Sequence, residues 1–542
     1  MNIRMFLGRA PGGEWFGARA LARALFLSVL LIGEVYGQGV LTVDPSRRFQ
    51  VMENFAASDA WSCQFVGKWP DGKKNVMADW LFSVDTMKDG SPKGIGLTMW
   101  RFNIGAGTAE QGDGSGIRDV WRRTEAMVDS SSQAGQRWFL RAARERGVKQ
   151  LLGFLNSPPV WLTKNGKGFA TGGVCNIDSA KFGEYAGWMV KVMGSLGFDW
   201  VSPVNEPQWD WSDGGQEGCP YSNAEVAGLV RVLNGALDSA GLKTRILLPE
   251  AGSIKYLLED GDKPGRGRQV EDFFGVGSRN YIGGLSGVGG VVAGHSYFST
   301  APWERGIGWR RSVDSLIRAK GVRYWQSEFC ILEDDAGEIR GNHRDTGMTA
   351  ALYMARVIHN DLVYAQAAAW QWWLAISPYD YKDGLIYIDK SEKDGRFWDS
   401  KKLWALGNFS RFVRPGMERI EVGVHGGEVG VHGGEVGAGG SVGEGAGRSI
   451  GEGAGRSIGE GAGRREGEGL LVSAFRDSRS RKLVVVLVNL SGFDRVVSLE
   501  KVGGRGWCSY VTSEGENLLK REVKAGKVTV EGRSICTLTA NY

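Results

Sequence analysis

The chain has 542 residues, 42% apolar and 23% charged, values near those of globular domains, which excludes a largely disordered chain and a polytopic membrane protein. Its 66 basic and 61 acidic side chains leave a net charge of +5, too small and too dispersed for the basic footprint of a nucleic-acid binder. The excesses are 83 Gly, 20 of them between Glu421 and Gly469, and 21 Trp with 22 Phe and 14 Tyr, whose flat faces suit sugar rings as well as a protein core.

Arg4, Arg9, Arg19 and Arg23 precede the apolar run Ala24 to Gly33 and then Val35-Tyr36-Gly37, which fits a small-residue cleavage site. Residues 1–37 therefore read as a signal peptide and the protein as secreted and extracellular. The run is about half of what spans a bilayer, so no membrane span is expected and a membrane anchor is the alternative.

From Val51 to Trp373 short apolar runs alternate with longer stretches of helical spacing, the pattern of β-α units around a parallel sheet. The candidate strands are Val51 to Asp59, Leu97 to Ile104, Gln150 to Asn156, Trp200 to Glu206, Arg245 to Glu250, Val291 to Tyr297, Arg323 to Glu328 and Ala367 to Trp373. Eight is the number that closes a (β/α)8 barrel. Gln136 to Arg146, Asp178 to Leu196 and Met348 to Val363 have the apolar spacing of outer helices. The expected fold class is thus α/β, a TIM barrel over 51–414; a doubly wound open sheet fits the same periodicity.

After Pro415-Gly416 come β-rich runs, Leu483 to Leu490, Trp507 to Thr512, Val528 to Glu531 and Ser534 to Ala540. They predict a small β-sandwich domain from 39–50 plus 415–542, with Val40 to Val43 joining the two chain ends. Residues 421–469 interrupt it with V-G-V-H-G-G-E at Val422 and Val429 and G-E-G-A-G-R-S-I at Gly443 and Gly451. So much Gly and charge cannot bury a core, and the segment reads as a disordered loop, its His425 and His432 as spacer rather than metal ligands.

The six Cys show no C-x-x-C pair and no His at zinc spacing, so no metal is expected. Cys175 with Cys219 and Cys508 with Cys536 are the expected disulfides. Asn408-Phe409-Ser410 and Asn489-Leu490-Ser491 match the glycosylation sequon. H-E-x-x-H, G-x-S-x-G and P-loop patterns are absent, and His295, His343 and His359 are dispersed, His359 on an apolar helical face.

Barrel active sites lie where strands end. The fourth candidate strand ends Ser202-Pro203-Val204-Asn205-Glu206-Pro207-Gln208-Trp209, and the seventh ends Trp325-Gln326-Ser327-Glu328-Phe329. Two carboxylates on one rim suit glycosidic cleavage: one protonates the leaving oxygen, the other attacks carbon or activates water. A helix cap or salt bridge is the plainer role of either Glu alone. Glu250, ending the fifth strand, is a rival carboxylate placed in a supporting position.

The runs Gly94 to Gly105 (GIGLTMWRFNIG), Val201 to Trp211 (VSPVNEPQWDW), Tyr324 to Leu332 (YWQSEFCIL) and Ala369 to Tyr387 (AWQWWLAISPYDYKDGLIY) resemble family 30 glycoside hydrolases, in the branch containing endo-β-1,6-galactanases. The resemblance covers roughly Phe55 to Met417. It implies a (β/α)8 barrel with an attached β-sandwich and a retaining mechanism, with Glu206 as acid/base and Glu328 as nucleophile.

Position adds Asn205 for the sugar 2-hydroxyl, Arg101 and Tyr297 as partners of Glu328, Trp372 as the floor beneath the sugar, and Trp161, Trp209 and Trp211 as walls. Ordinary packing is the alternative for each aromatic. The expected activity is endo-β-1,6-galactanase; β-glucosidase or glucosylceramidase, β-1,6-glucanase, xylanase and a catalytically silent carbohydrate-binding relative are the alternatives. The expected partner is a polysaccharide or oligosaccharide, with no cofactor and a monomeric state.

Overall fold

The structure is a computed structural model that describes residues 39–107, 133–212, 214–332, 336–425 and 469–542. The signal-peptide reading and most of the repeat, 426–468, lie outside the described residues.

Strand β1 (Gly39–Val51) belongs to the second sheet. The barrel is formed by β2 (Asn54–Ser58), β3 (Met99–Asn103), β4 (Gln150–Phe154), β5 (Trp200–Ser202), β6 (Arg245–Ala251), β7 (Val288–His295), β8 (Arg323–Glu328) and β9 (Ala369–Ser377). Each is parallel to the next, and β9 pairs with both β8 and β2, so the sheet closes and the open-sheet alternative falls. β10 (Gly384–Ile388) and β11 (Phe397–Asp399) extend it beyond β9.

Alternation fixes the layers. Ala56, Met99, Leu152, Trp200, Leu247, Val291, Ala293, Trp325 and Ala369 fill the barrel interior. Their neighbours, such as Ala57, Trp100 and Val292, face the outer helices. Because both faces are buried, these strands read as continuous apolar runs. The helices have local causes too: Ser222 and Glu225 form a reciprocal capping box at the start of Asn223–Ser239, and Gly197, at φ 65°, ends Phe182–Leu196 in the left-handed conformation.

The second sheet contains β12 (Glu418–His425), β13 (Leu470–Asp477), β14 (Lys482–Asn489), β15 (Arg495–Lys501), β16 (Arg505–Thr512), β17 (Leu519–Glu522), β18 (Lys527–Val530) and β19 (Ser534–Asn541). Its nine strands run β17-β16-β19-β14-β13-β12-β1-β15-β18. Leu483, Val485 and Leu487 point into a core shared with Leu41, Val497, Val528 and Leu538, so the sheet curls over itself. Val484, Val486 and Val488 point the other way, into the barrel's outer core, where helices Met348–Val363 and Lys401–Ser410 meet the sheet.

Three expectations are corrected. The start of the repeat is not loop: Val422 to His425 are strand, paired with Val43 to Val40. Both sequon asparagines are buried. Asn408 donates to Thr537 Oγ1 at 3.0 Å and Asn489 to the Phe493 carbonyl at 2.7 Å, so neither is open to a glycan. All six Cys are free. Cys508 lies opposite Thr539 while Cys536 lies opposite Val511, three residues along and on the other face, out of bridging reach. Cys175 and Cys219 meet as hydrogen-bonded thiols without a bridge.

Among the described residues no helix is long and apolar enough to cross a membrane.

Candidate active site

A cavity of about 300 Å³ opens at the C-terminal ends of the barrel strands. Three carboxyl groups converge beneath it through local departures from simple strand alternation. β5 ends at Ser202, and Glu206 follows in a turn at φ 45°, its N–H donating to the Glu250 carbonyl at 2.9 Å. Glu250 is an extra residue in β6: Pro249 and Ala251 face the successive residues Ala293 and Gly294 of β7, and Glu250, at φ 55°, is turned inward. On β8, Gln326 and Glu328 face the successive residues Gly294 and His295, which leaves Ser327 extra and points Glu328 into the cavity. Such bulges re-aim side chains beside active sites.

Two basic groups join the carboxyls. Arg101 is wholly buried 3.8 Å over the Phe154 ring; it donates to Glu328 and, at 3.2 Å, to Asn205 Oδ1. Tyr297 donates its hydroxyl to Glu328 Oε1 at 3.1 Å. His295, also wholly buried, bridges the set: Nδ1 lies 2.8 Å from Glu206 Oε1 and 3.8 Å from Glu328 Oε1, and Nε2 lies 3.0 Å from Glu250 Oε2. An oxygen of Glu206, one of Glu328 and a His295 nitrogen lie within 4.8 Å of one another.

The environments differ. Burial raises the Glu206 carboxyl above its ordinary range, against the opposing hydrogen bond and charge of His295. Burial would raise Glu250 as well, but the Arg101 charge and hydrogen bonds from His295 and Ser202 hold it at about 2. Burial would lower His295, but the charge of Glu328 and the hydrogen bonds to Glu206 and Glu250 lift it to about 10. His295 is therefore an imidazolium and Glu250 a carboxylate at neutral pH.

Glu206, Glu328, Asn205, Tyr297, Trp209 and Trp211 line the cavity, and Arg101 lies below it. Trp372 does not. It pairs with Ala57 on the outward face, stacks with Trp370 at 6.1 Å and donates Nε1 to the Asp383 carbonyl. Its neighbour Trp373, in phase with Ala369 and Gln371, forms the cavity wall. The floor assignment was one residue out of phase. Trp161 is likewise absent from the lining and packs against Trp188 at 6.5 Å. Sequence reasoning missed His295, Trp373, Asn156, Gln216, Phe298 and Leu332. Two carried a signal: His295 stands two residues before Tyr297 at a strand end, and Trp373 shares the parity of small Ala369 and polar Gln371.

The profile of O-glycosyl hydrolase family 30 matches residues 38–387. The chain belongs to O-glycosyl hydrolase family 30. This family 30 chain is 24% identical over 406 residues, 70% of its own length and 75% of the relative's, to the endo-β-1,6-galactanase of Hypocrea rufa. It superposes on a conserved exported protein from Bacteroides fragilis with a TM-score of 0.78 and 29% identity, over 92% of this chain and 100% of that one. It also superposes on the catalytic domain of family 30 xylanase C from Talaromyces cellulolyticus with a TM-score of 0.61 and 18% identity, over 93% of this chain and 100% of that one. The protein is a glycoside hydrolase and its substrate a carbohydrate. A retaining mechanism is typical of the family.

Proposed function

We propose that the protein is an endo-β-1,6-galactanase that hydrolyses galactan side chains by double displacement, with Glu206 as acid/base and Glu328 as nucleophile. The galactanase relative supports the linkage and the sugar. The observation that carries the mechanism is the approach of Glu206 and Glu328 oxygens within 4.8 Å in one cavity. Retaining pairs stand ~5 to 5.5 Å apart, whereas inverting pairs leave ~6.5 to 9.5 Å for a water.

Glu206, raised by burial, supplies a proton to the glycosidic oxygen as Glu328 attacks the anomeric carbon from the opposite side and the carbon–oxygen bond breaks. Arg101 and Tyr297 orient the attacking carboxylate. Water then enters, Glu206 takes its proton, and the hydroxyl displaces Glu328 from the sugar. Asn205, its Oδ1 held by Arg101, keeps its NH2 for the sugar 2-hydroxyl, a contact that strengthens in the transition state. The same reading takes the protein as secreted, supported by the arginine-flanked apolar run near its start.

Two variants test the roles. Glu206→Ala should form the glycosyl-enzyme from a substrate with a good leaving group and then stall, losing about 10²- to 10⁴-fold on unactivated substrate. Azide should restore turnover and give the β-glycosyl azide. Glu328→Gly should accumulate no covalent intermediate and give the α-azide by direct displacement. Exchanged products would exchange the roles. Reducing-sugar release from β-1,6-galactan, β-1,6-glucan and xylan tests the substrate, and galactan should lead.

A further inference from the structure

Phe298, directly after Tyr297, is in the left-handed backbone region at φ 56°, where a bulky side chain is an outlier. The residue is 45% exposed yet lines the cavity. Strain of this kind persists where the surroundings over-determine it, and it clusters at ligand clamps. The ring stands edge-on to Trp209, 5.8 Å between centroids and 80° between planes. Trp209 is itself wedged: Gly252 backs onto it so closely that a Cβ there would lie 2.4 Å from the indole nitrogen. Tyr256 closes its other side at 5.5 Å. Two aromatic planes near right angles, one wedged and one projecting, thus form a corner at the mouth of the cavity.

The corner stands beside Glu206, the proposed acid. Trp209 follows Glu206 in the same turn and donates its backbone N–H to the Glu206 carbonyl at 3.2 Å. A proton donor must stand beside the glycosidic oxygen, so whatever lies beyond Glu206 meets the departing portion of the substrate.

We propose that Phe298 and Trp209 form a leaving-group subsite that receives the apolar face of the first sugar beyond the cleaved bond, with Phe298 determining the preference for chains over short aglycones. This rests on the galactanase reading for the identity of that sugar: galactose presents an apolar face formed by its C3, C4 and C5 hydrogens, and a 1,6-linkage adds a rotatable CH2 that lets the ring turn that face to Phe298.

The test compares two substrates, a β-1,6-galacto-oligosaccharide and the β-1,6-galactobiosyl fluoride, whose fluoride is too small to reach Phe298. In Phe298→Ala the ratio of kcat/KM for oligosaccharide over fluoride should fall roughly three- to tenfold, mostly through KM, and Phe298→Trp should restore most of it. Phe298→Gly should show the same fall while its Tm equals or exceeds that of the unaltered protein, because glycine relieves the strained φ. An unchanged ratio, or equal losses on both substrates, overturns the proposal. If the enzyme ignores β-1,6-galactan but cleaves β-1,6-glucan or xylan, the galactan reading fails on its own, and the same ratio measured on that glycan still decides the role of Phe298.

Discussion

His295→Gln removes the one imidazolium that touches all three carboxyls while keeping a polar side chain in its place, so it isolates charge from packing. In the unaltered protein the hydrogen bond and charge of His295 oppose the burial that raises Glu206. At an effective dielectric of about 20, unit charges about 4 Å apart interact by about 4 kcal/mol. Relaxation of Arg101 and entering water reduce that figure, which is a ceiling. The direction is fixed: without the imidazolium the Glu206 proton is held more tightly. The alkaline limb of the kcat/KM profile, which reports the acid of the free enzyme, should move to higher pH. The assay is initial rate against pH on an activated β-glycoside, with circular dichroism confirming the fold at each pH. An alkaline limb that stays in place or moves down would refute the account, because His295 would then not be the cation that restrains Glu206.

The two tryptophans of β9 should separate cleanly. Trp373→Ala, which removes the cavity wall, should lower kcat/KM strongly, whereas Trp372→Ala, emptying a fully buried site, should cost about 3 to 5 kcal/mol of stability and leave the constants of the folded fraction close to those of the unaltered protein. Stability should also carry the signature of the buried cluster. His295, at 6.5 unfolded and about 10 folded, contributes stability that is complete below pH 6.5 and lost as pH rises through 10. Glu250, at 4.5 unfolded and about 2 folded, contributes stability present above pH 4.5 and lost as pH falls through 2. The Tm gap between the unaltered protein and His295→Gln should therefore narrow from pH 6.5 toward 10, as thermal melts across that range would record.

The barrel was legible in the sequence because each parallel strand is buried on both faces and stands out as an apolar run between amphipathic stretches. Glu206 and Glu328 were legible for a related reason, as polar residues abruptly ending such runs. What failed was everything that depends on phase or on distance in the chain. Trp372 and Trp373 are chemically identical neighbours, and the choice between them turns on parity with Ala369 and Gln371, which the pairing of Trp372 with Ala57 settles. His295 looked isolated because its partners Glu250 and Glu206 lie 45 and 89 residues away. The sequons at Asn408 and Asn489 matched a pattern that says nothing of burial, and both side chains are used as hydrogen-bond donors inside the fold. The bulges at Glu250 and Ser327 are the least legible of all, since an extra residue in a strand leaves no mark on composition or periodicity. Yet they place Glu328 and its supporting carboxyl: strict alternation from Trp325 and Pro249 would turn Glu328 and Glu250 away from the barrel axis, and Arg101 would be buried with neither counter-charge. The chemistry of the site therefore depends on two irregularities that a reading of regular elements passes over.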